Sequence, residues 1–327
     1  MTPLRFERLH QDEWAELATL LDQMRRRRTA SSRAEGRVAP DRVAALYRRT
    51  CEHLALARAR AYPAHILDRL ETLTSDAHQA IYRDRVFGLG ALRRLITVDF
   101  PRAVRRDAGY IWVAALTFGL PLLVMGLLVY DRPELILSIV SPDTAAGFEE
   151  MYSPASGALG RTRTADTDWM MFGYYIRNNI SVAFQCFAGG LFAGVGSLFF
   201  LGYNGAFGGA IAGYLTERGL SSTFYSFVAT HSSFELTAIV LSGGAGLKIG
   251  HALLAPGRRT RRTALVEAAA ASATVLYGVT VLLVVAAAFE AFWSSATWIS
   301  PSIKYTAAAV CWTAVIVYLT RQGRHAG

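Results

Sequence analysis

Hydrophobic residues follow two different rhythms along this chain. Up to residue 108 they recur at threes and fours between charged residues. Beyond it they run together in uncharged stretches of about twenty. The first rhythm predicts amphipathic helices and the second predicts membrane spans.

Residues 3–28 set Leu9, Trp14, Leu17, Leu20, Leu21 and Met24 at helical spacing and end in a run of arginine over 25–28. A polar break over 29–40 precedes Asp41, a fitting N-cap for a second helix through Ala61. That helix carries Val43, Leu46, Tyr47, Cys51, Leu54 and Arg58 on one broad stripe. Pro63 opens a third segment with Leu67, Leu70, Leu73, Ala77, Ile81 and Tyr82. Such stripes predict the core of a helical bundle. Residues 90–106 differ. Leu92, Leu95, Ile96, Val98, Phe100 and Val104 alternate there with Arg93, Arg94, Arg102, Arg105 and Arg106, which suits a segment lying in the headgroup layer with its arginines on anionic lipid.

Residues 109–130 hold no charge and are long enough to cross about 30 Å of hydrocarbon. Further spans are expected at 180–201, 203–218, 227–254, 264–292 and 303–320. No cleavable signal precedes the first span, which is expected to act as an anchor in place. Charge sets the orientation. Arg102, Arg105 and Arg106 before the first span, four Arg in the loop 256–263 and two after Thr320 belong in the cytoplasm. The loop 131–177, with four Arg against seven acids, belongs outside. Residues 133–140 and 148–152 within it are expected to rest as an amphipathic helix on that face. Returning the Arg loop to the inside requires the glycine-rich stretch 203–218 to cross, which makes about six spans. The expected fold class is an all-α polytopic membrane bundle in a bacterial inner membrane, both termini cytoplasmic. It comprises a cytoplasmic helical head over 1–108 and a transmembrane domain over 109–327.

Composition sharpens this division. Residues 1–108 carry 21 Arg and 14 acids, leaving 13 of the 34 basic and 11 of the 25 acidic residues for the rest. The arginines are interleaved with acids along helices, which argues for a solvated or lipid-facing surface and against nucleic acid. Cys51, Cys186 and Cys311 have no pairing or metal-ligand spacing. His10, His53, His65 and His78 are scattered over the head and suggest no metal site.

Polar residues inside a membrane are costly, so the few present are candidates for function. Asn178 and Asn179 are expected at the outer mouth of the second span, His231 and Glu235 near the outer end of the fourth, and Glu290 near the outer end of the fifth. At i and i+4, His231 and Glu235 fall about 40° apart on one helix face. Two readings lead: polar side chains that lock helices together, or an outward-facing pocket for a headgroup, ion or proton; a metal site is the third, since one His and two carboxylates can in principle hold zinc. The stretch HSSFE lacks the second histidine of HExxH, which argues against a metalloprotease. Walker, GxSxG, Cys–His and dinucleotide signatures are absent from the sequence, so neither a catalytic residue nor a cofactor is expected.

Small residues supply the other pattern. Gly190 and Gly194, Gly209 and Gly213, and Gly246 and Gly250 each form GxxxG, with Ser242 extending the last. This spacing lets helix backbones approach closely. It predicts a tight bundle of the second, third and fourth spans, or contacts between copies in a homo-oligomer. Asn204 and Gly205 read as a tight inner turn.

With NNISVAF (178–184), GYNGAFGG (202–209), HSSFELTAIVLSGGAGLKIG (231–250) and FEAFWS (289–294), the sequence resembles the stage II sporulation protein M family. LYRRTCEHLALARA (46–59), LETLTSDAHQAIY (70–82) and FPRAVR (100–105) extend the resemblance into the head. The resemblance implies an integral membrane protein without established catalytic activity. Its sporulation members act as scaffolds for peptidoglycan-remodelling enzymes. Relatives elsewhere are encoded beside MoxR-type AAA ATPases and von Willebrand A-domain proteins, which implies a cell-envelope assembly. The family's polar positions fall on Asn178, Asn179, Asn204, His231, Glu235 and Glu290. The long head departs from the sporulation members, so a role in engulfment does not carry over. The expected function is a non-enzymatic scaffold or assembly factor; the alternative is a conduit for a small solute, ion or lipid headgroup.

Overall fold

A computed structural model describes residues 1–29, 40–83, 89–154, 165–296 and 298–324, and it is helical with no strand among them. The chain forms two compact units, Met1–Leu89 and Gly90–Gly327. Residues 90–108, expected in the head, therefore belong to the membrane body.

The head packs α1 (Pro3–Thr29), α2 (Pro40–Ala59) and α3 (Ala64–Arg83). Phe6, Trp14, Leu17 and Leu21 are buried against Val43, Leu46, Ala57, Tyr62, Ile66, Leu70 and Ala77. The α1 stripe is rotated from the expected one. Positions 6, 10, 14, 17 and 21 share a face, which leaves Leu9 outside it and 62% exposed. The polar break expected over 29–40 lies almost wholly outside the described residues, as do the side chains of residues 25–28, Ile81 and Tyr82. Arg42–Glu16 and Arg58–Glu71 are exposed ion pairs. Solvent screens both, so the apolar core decides the fold.

His10 and His53, read as scattered, meet with ring centroids 3.8 Å apart because α1 and α2 lie side by side. With Glu13 they bring ligating atoms within 4.8 Å of one another. Two of the three are already engaged: Trp14 Nε1 donates to His53 Nδ1 at 3.2 Å, and Arg49 pairs with Glu13 at 2.6 Å. Burial lowers the His53 pKa, with the neighbouring His10 adding to the effect, against Glu13 and Glu52 which raise it. Protonation would also turn Nδ1 from acceptor to donor and break the Trp14 bond. With a folded value below the unfolded one of about 6.5, stability is intact above about 6.5 and is lost as pH falls from there through the folded value. Amide protection factors in α1 and α2 are expected to drop between pH 7.5 and 5.5, and His53→Gln is expected to flatten that dependence.

The body begins with α4 (Leu89–Arg94), a π-helical turn Leu95–Asp99 and α5 (Phe100–Arg106). Then follow α6 (Ala108–Asp131), a 3-10 turn Pro133–Ser138, α7 (Pro142–Tyr152), α8 (Ala165–Ala188) and a 3-10 turn Gly189–Leu191. The chain continues through α9 (Val195–Glu217), α10 (Ser221–Val228), α11 (Ser232–Leu254) and α12 (Arg261–Ala288). It ends with a π-helical turn Phe289–Ser294 and α13 (Pro301–Arg321). Among the described residues, five segments are long and apolar enough to cross a membrane: Ala108–Asp131, Val195–Glu217, Ser232–Leu254, Arg261–Ser294 and Pro301–Arg321. α8 is as long, but Asp168, Arg177, Asn178 and Asn179 make its first part more polar.

Side-chain partners fix the helix directions. Gly205, Gly209 and Gly213 meet Phe118, Leu122 and Gly126 in ascending order, so α6 and α9 run parallel. Asp107 meets Lys248 and Ile111 meets Gly244, so α11 opposes α6. Ala183 meets Ser242 and Cys186 meets Gly246, so α8 runs with α11. Ser294 meets His231 and Phe289 stacks on Phe234, so α12 opposes α11. α13 returns from Thr230 beside Lys304 to Phe100 beside Tyr318. Hence α6, α9 and α12 run one way and α8, α11 and α13 the other. α8 is the return leg that parallel α6 and α9 require.

Several expectations change here. The span drawn over 180–201 is two helices meeting at a corner: α8 ends at Ala188 and α9 starts at Val195. Gly194 turns that corner at φ +85°, in the left-handed region, and Ala193 joins it at φ +53°. A hydropathy reading misses the corner because its residues are apolar. Asn204 and Gly205 form no turn. They lie within α9, where Asn204 Nδ2 donates to the Phe200 carbonyl at 2.7 Å. The glycine pairs also sort differently. Gly190 and Gly194 meet Gly246 and Gly250 backbone to backbone, while Gly205, Gly209 and Gly213 press on α6. The serines follow suit: Ser242 Oγ donates to the Ala183 carbonyl and Ser197 Oγ to the Cys186 carbonyl, both at 2.6 Å.

The second half of the segment 90–106 packs its apolar side on protein, while Leu92 is exposed. Phe100, Ala103 and Val104 are buried with Val275, Val279, Leu282 and Leu283 of α12. Arg102 and Arg105 donate to the Gly323 and Leu319 carbonyls at 2.8 Å, satisfying the end of α13. At the opposite end, Ile136, Ala145 and Tyr152 pack on Val129, Tyr214, Leu215, Phe224 and Phe227. The loop segments expected to rest as an amphipathic helix on one face form a 3-10 turn and α7, which together cap the protein at this end.

Candidate functional site

Beneath that cap the polar residues converge. His231 is the N-cap residue of α11 and Glu235 lies in its first turn, where a carboxylate faces the positive end of the helix dipole. His231 Nε2 and Glu235 Oε2 are 3.9 Å apart. Glu290 comes from the π-helical turn that ends α12. The extra residue in such a turn displaces side chains from regular helical positions, a device frequent at functional sites. The ligating atoms of His231, Glu235 and Glu290 all lie within 4.8 Å of one another.

Neighbouring residues hold this group in place. His231 Nδ1 and Ser294 Oγ are hydrogen-bonded at 2.9 Å, and the edge of Phe227 lies against the ring. With the proton assigned to Nδ1, the Nε2 lone pair points toward Glu235. Lys304 Nζ donates to the Ser294 carbonyl at 2.7 Å, and Thr230 Oγ1 to the Lys304 carbonyl at 3.2 Å. Tyr152, the last residue of α7, packs edge-on against Phe227, which in turn lies against His231, and burial raises its phenol.

Asn179 is 2% exposed and neighbours Glu290 where α8 meets the π-helical turn Phe289–Ser294. It misses hydrogen-bond geometry, leaving Asn179 Nδ2 and Glu290 Oε2 both buried without a partner. A buried polar atom in that state costs about 1–3 kcal/mol, so two at one spot call for a physical reason.

Of the residues expected to share a pocket, Asn179, His231, Glu235 and Glu290 come together in one cluster. Asn178 does not. It is exposed, its amide donating to Asn179 Oδ1 at 3.1 Å. Both asparagines lie well inside α8 rather than at its mouth, because the helix starts at Ala165. Sequence reasoning missed Tyr152, Ser294 and Lys304. Lys304 carries a signal, being a cation in the first turn of an otherwise uncharged span, whereas Tyr152 and Ser294 look ordinary until the chain folds. A second intramembrane charge was also missed: Lys248 pairs with Asp107 at 2.7 Å, both largely buried.

The stage II sporulation protein M family matches residues 109–295, which covers α6 through the π-helical turn of Glu290. A separate domain of unknown function (DUF8413) matches residues 4–83, the three helices of the head. No curated protein and no solved structure matches the chain.

Proposed function

Because the chain belongs to the stage II sporulation protein M family, we propose that it is a non-enzymatic scaffold or assembly factor of a bacterial cell-envelope complex. The observation that carries this reading is the way the body is filled. Helices touch backbone to backbone at Gly190–Gly246, Gly194–Gly250, Gly205–Phe118 and Gly209–Leu122, a packing that favours rigidity over a solute path. The positive-inside rule assigns the arginines near α5, at Arg258, Arg259, Arg261 and Arg262, and at Arg321 to the cytoplasm of an inner-membrane protein. Those of the loop meet anionic headgroups. The head, a compact charged unit of its own, docks a soluble cytoplasmic partner, for which an AAA ATPase or a von Willebrand A-domain protein is the candidate. The cap built on α7 and α10 faces envelope enzymes. Exposed apolar helix faces such as Leu116, Leu120, Leu123 and Leu127 serve lipid or a second copy of the chain. Nucleic acid has no part in this reading.

The test is affinity purification of the full chain in mild detergent, beside a chain lacking residues 1–89. A soluble protein that accompanies the full chain and is lost with the head supports the scaffold. Identical companions, or none, for two well-behaved preparations would remove it. The buried polar cluster favours a second reading, a conduit for a small solute, ion or headgroup. In that case Glu235→Gln abolishes a flux in protein of normal abundance, whereas the scaffold expects weaker assembly and no flux to lose.

A further inference from the structure

We propose that His231, Glu235 and Glu290 bind a divalent cation of the zinc class beneath the cap, with one coordination position left to a water molecule beside Asn179. The inference is independent of the scaffold reading, since an ion can brace an assembly factor as readily as a transporter.

Distance is the first argument. At 3.9 Å, His231 Nε2 and Glu235 Oε2 are too far apart for a hydrogen bond. Two ligands held about 2.1 Å from a tetrahedral zinc lie about 3.4 Å apart, so a closure of a few tenths of an ångström seats an ion between them. Glu290 supplies the third atom within 4.8 Å of the other two.

Orientation is the second. A metal-bound histidine usually donates its other ring N–H to a fixed acceptor. Ser294 Oγ, 2.9 Å from His231 Nδ1, fills that role. The π-helical turn that carries both Glu290 and Ser294 places the ligand and the orienting group from one short segment.

The unpartnered atoms are the third. Glu290 Oε2 is an acceptor and Asn179 Nδ2 a donor, and both are buried without partners. An ion satisfies Glu290 directly, and its bound water accepts from Asn179. Charge agrees: two carboxylates this close repel when both are ionised, and a dication neutralises them. Lys304 Nζ donates to the Ser294 carbonyl at 2.7 Å and forms no ion pair with either carboxylate. Nitrogen and oxygen donors without sulfur suit zinc among the abundant divalent ions, and three protein ligands with one open position form a common zinc arrangement.

The full chain, stripped with chelator, exposed to zinc chloride and desalted, is expected to retain about one equivalent of zinc by elemental analysis. Glu290→Gln and His231→Ala are each expected to lower that at least fivefold. The head cluster provides the control, and His10→Ala is expected to leave retention unchanged. Zinc that vanishes with His10→Ala, or that survives both site substitutions, overturns the proposal, as does a wild-type chain that retains none. X-ray absorption at the zinc edge of the wild type decides even if a variant fails to fold. One imidazole with oxygen ligands supports the site, whereas two imidazoles or any sulfur refutes it.

Discussion

Replacing Lys248 with alanine is expected to cost about 3–5 kcal/mol of stability, because it strands Asp107 as a buried charge without its partner. The pair is held at 2.7 Å, with the aspartate side chain 11% and the lysine 16% exposed. Asp107 sits at the joint between α5 and α6, so the pair ties the inserted segment to α11. Arg106 Nε lies 3.4 Å from the other carboxylate oxygen and compensates part of the loss, which puts the expected value toward the lower end. The double substitution Asp107→Asn with Lys248→Met removes both charges and is expected to recover most of it. Unfolding by titration with SDS measures all three proteins. A single variant within about 1 kcal/mol of wild type would mean that water reaches the pair freely.

The second large effect is expected at Gly246. A Cβ there would stand 2.7 Å from the carbonyl oxygens of both Cys186 and Phe187, which belong to backbone and cannot swing aside. Gly246→Ala is expected to cost at least 1–3 kcal/mol, roughly the range for overpacking, and Gly246→Leu to prevent α8 from seating on α11 at all. The readout is the yield of monodisperse protein in detergent. Gly208 is the internal control, since nothing lies within 4 Å of a Cβ there and alanine improves helix propensity by up to about 1 kcal/mol. Equal damage from Gly208→Ala and Gly246→Ala would show that packing is not the cause.

Different parts of this architecture were legible to different degrees. The apolar runs announce the membrane helices because uncharged length is a property of sequence alone. The head announces a bundle because its stripes are periodic. Gly190 and Gly246 announce close packing, but not against whom, since a small residue names no partner. The glycines of α9 were expected to face the second and fourth spans, and the choice of α6 depends on directions that only the folded chain has. The corner at Gly194 was hidden by apolar neighbours, and the true start of α8 by its polar first half. In the site, His231 and Glu235 were readable from their i, i+4 spacing and Glu290 from its isolation in an apolar span. Asn179 was expected beside them from the topology, but the part played by Ser294 was not, because a π-helical turn shifts the register and leaves no mark in composition. His10 and His53 show the same limit in the head: 43 positions separate them in the chain, yet their rings lie 3.8 Å apart.

The parallel course of α6 and α9 bears on how the protein is made. Phe118 meets Gly205, so partners in this contact are 87 residues apart in the chain (205 − 118), and no hairpin can deliver them together. At about 5–20 residues per second, roughly 4–17 s of synthesis elapse between them. During that interval the newly inserted α6 keeps its Phe118–Leu122–Gly126 seam open to whatever the insertion machinery or surrounding lipid provides. The ribosome thus delivers the first membrane helix long before the partner that completes it.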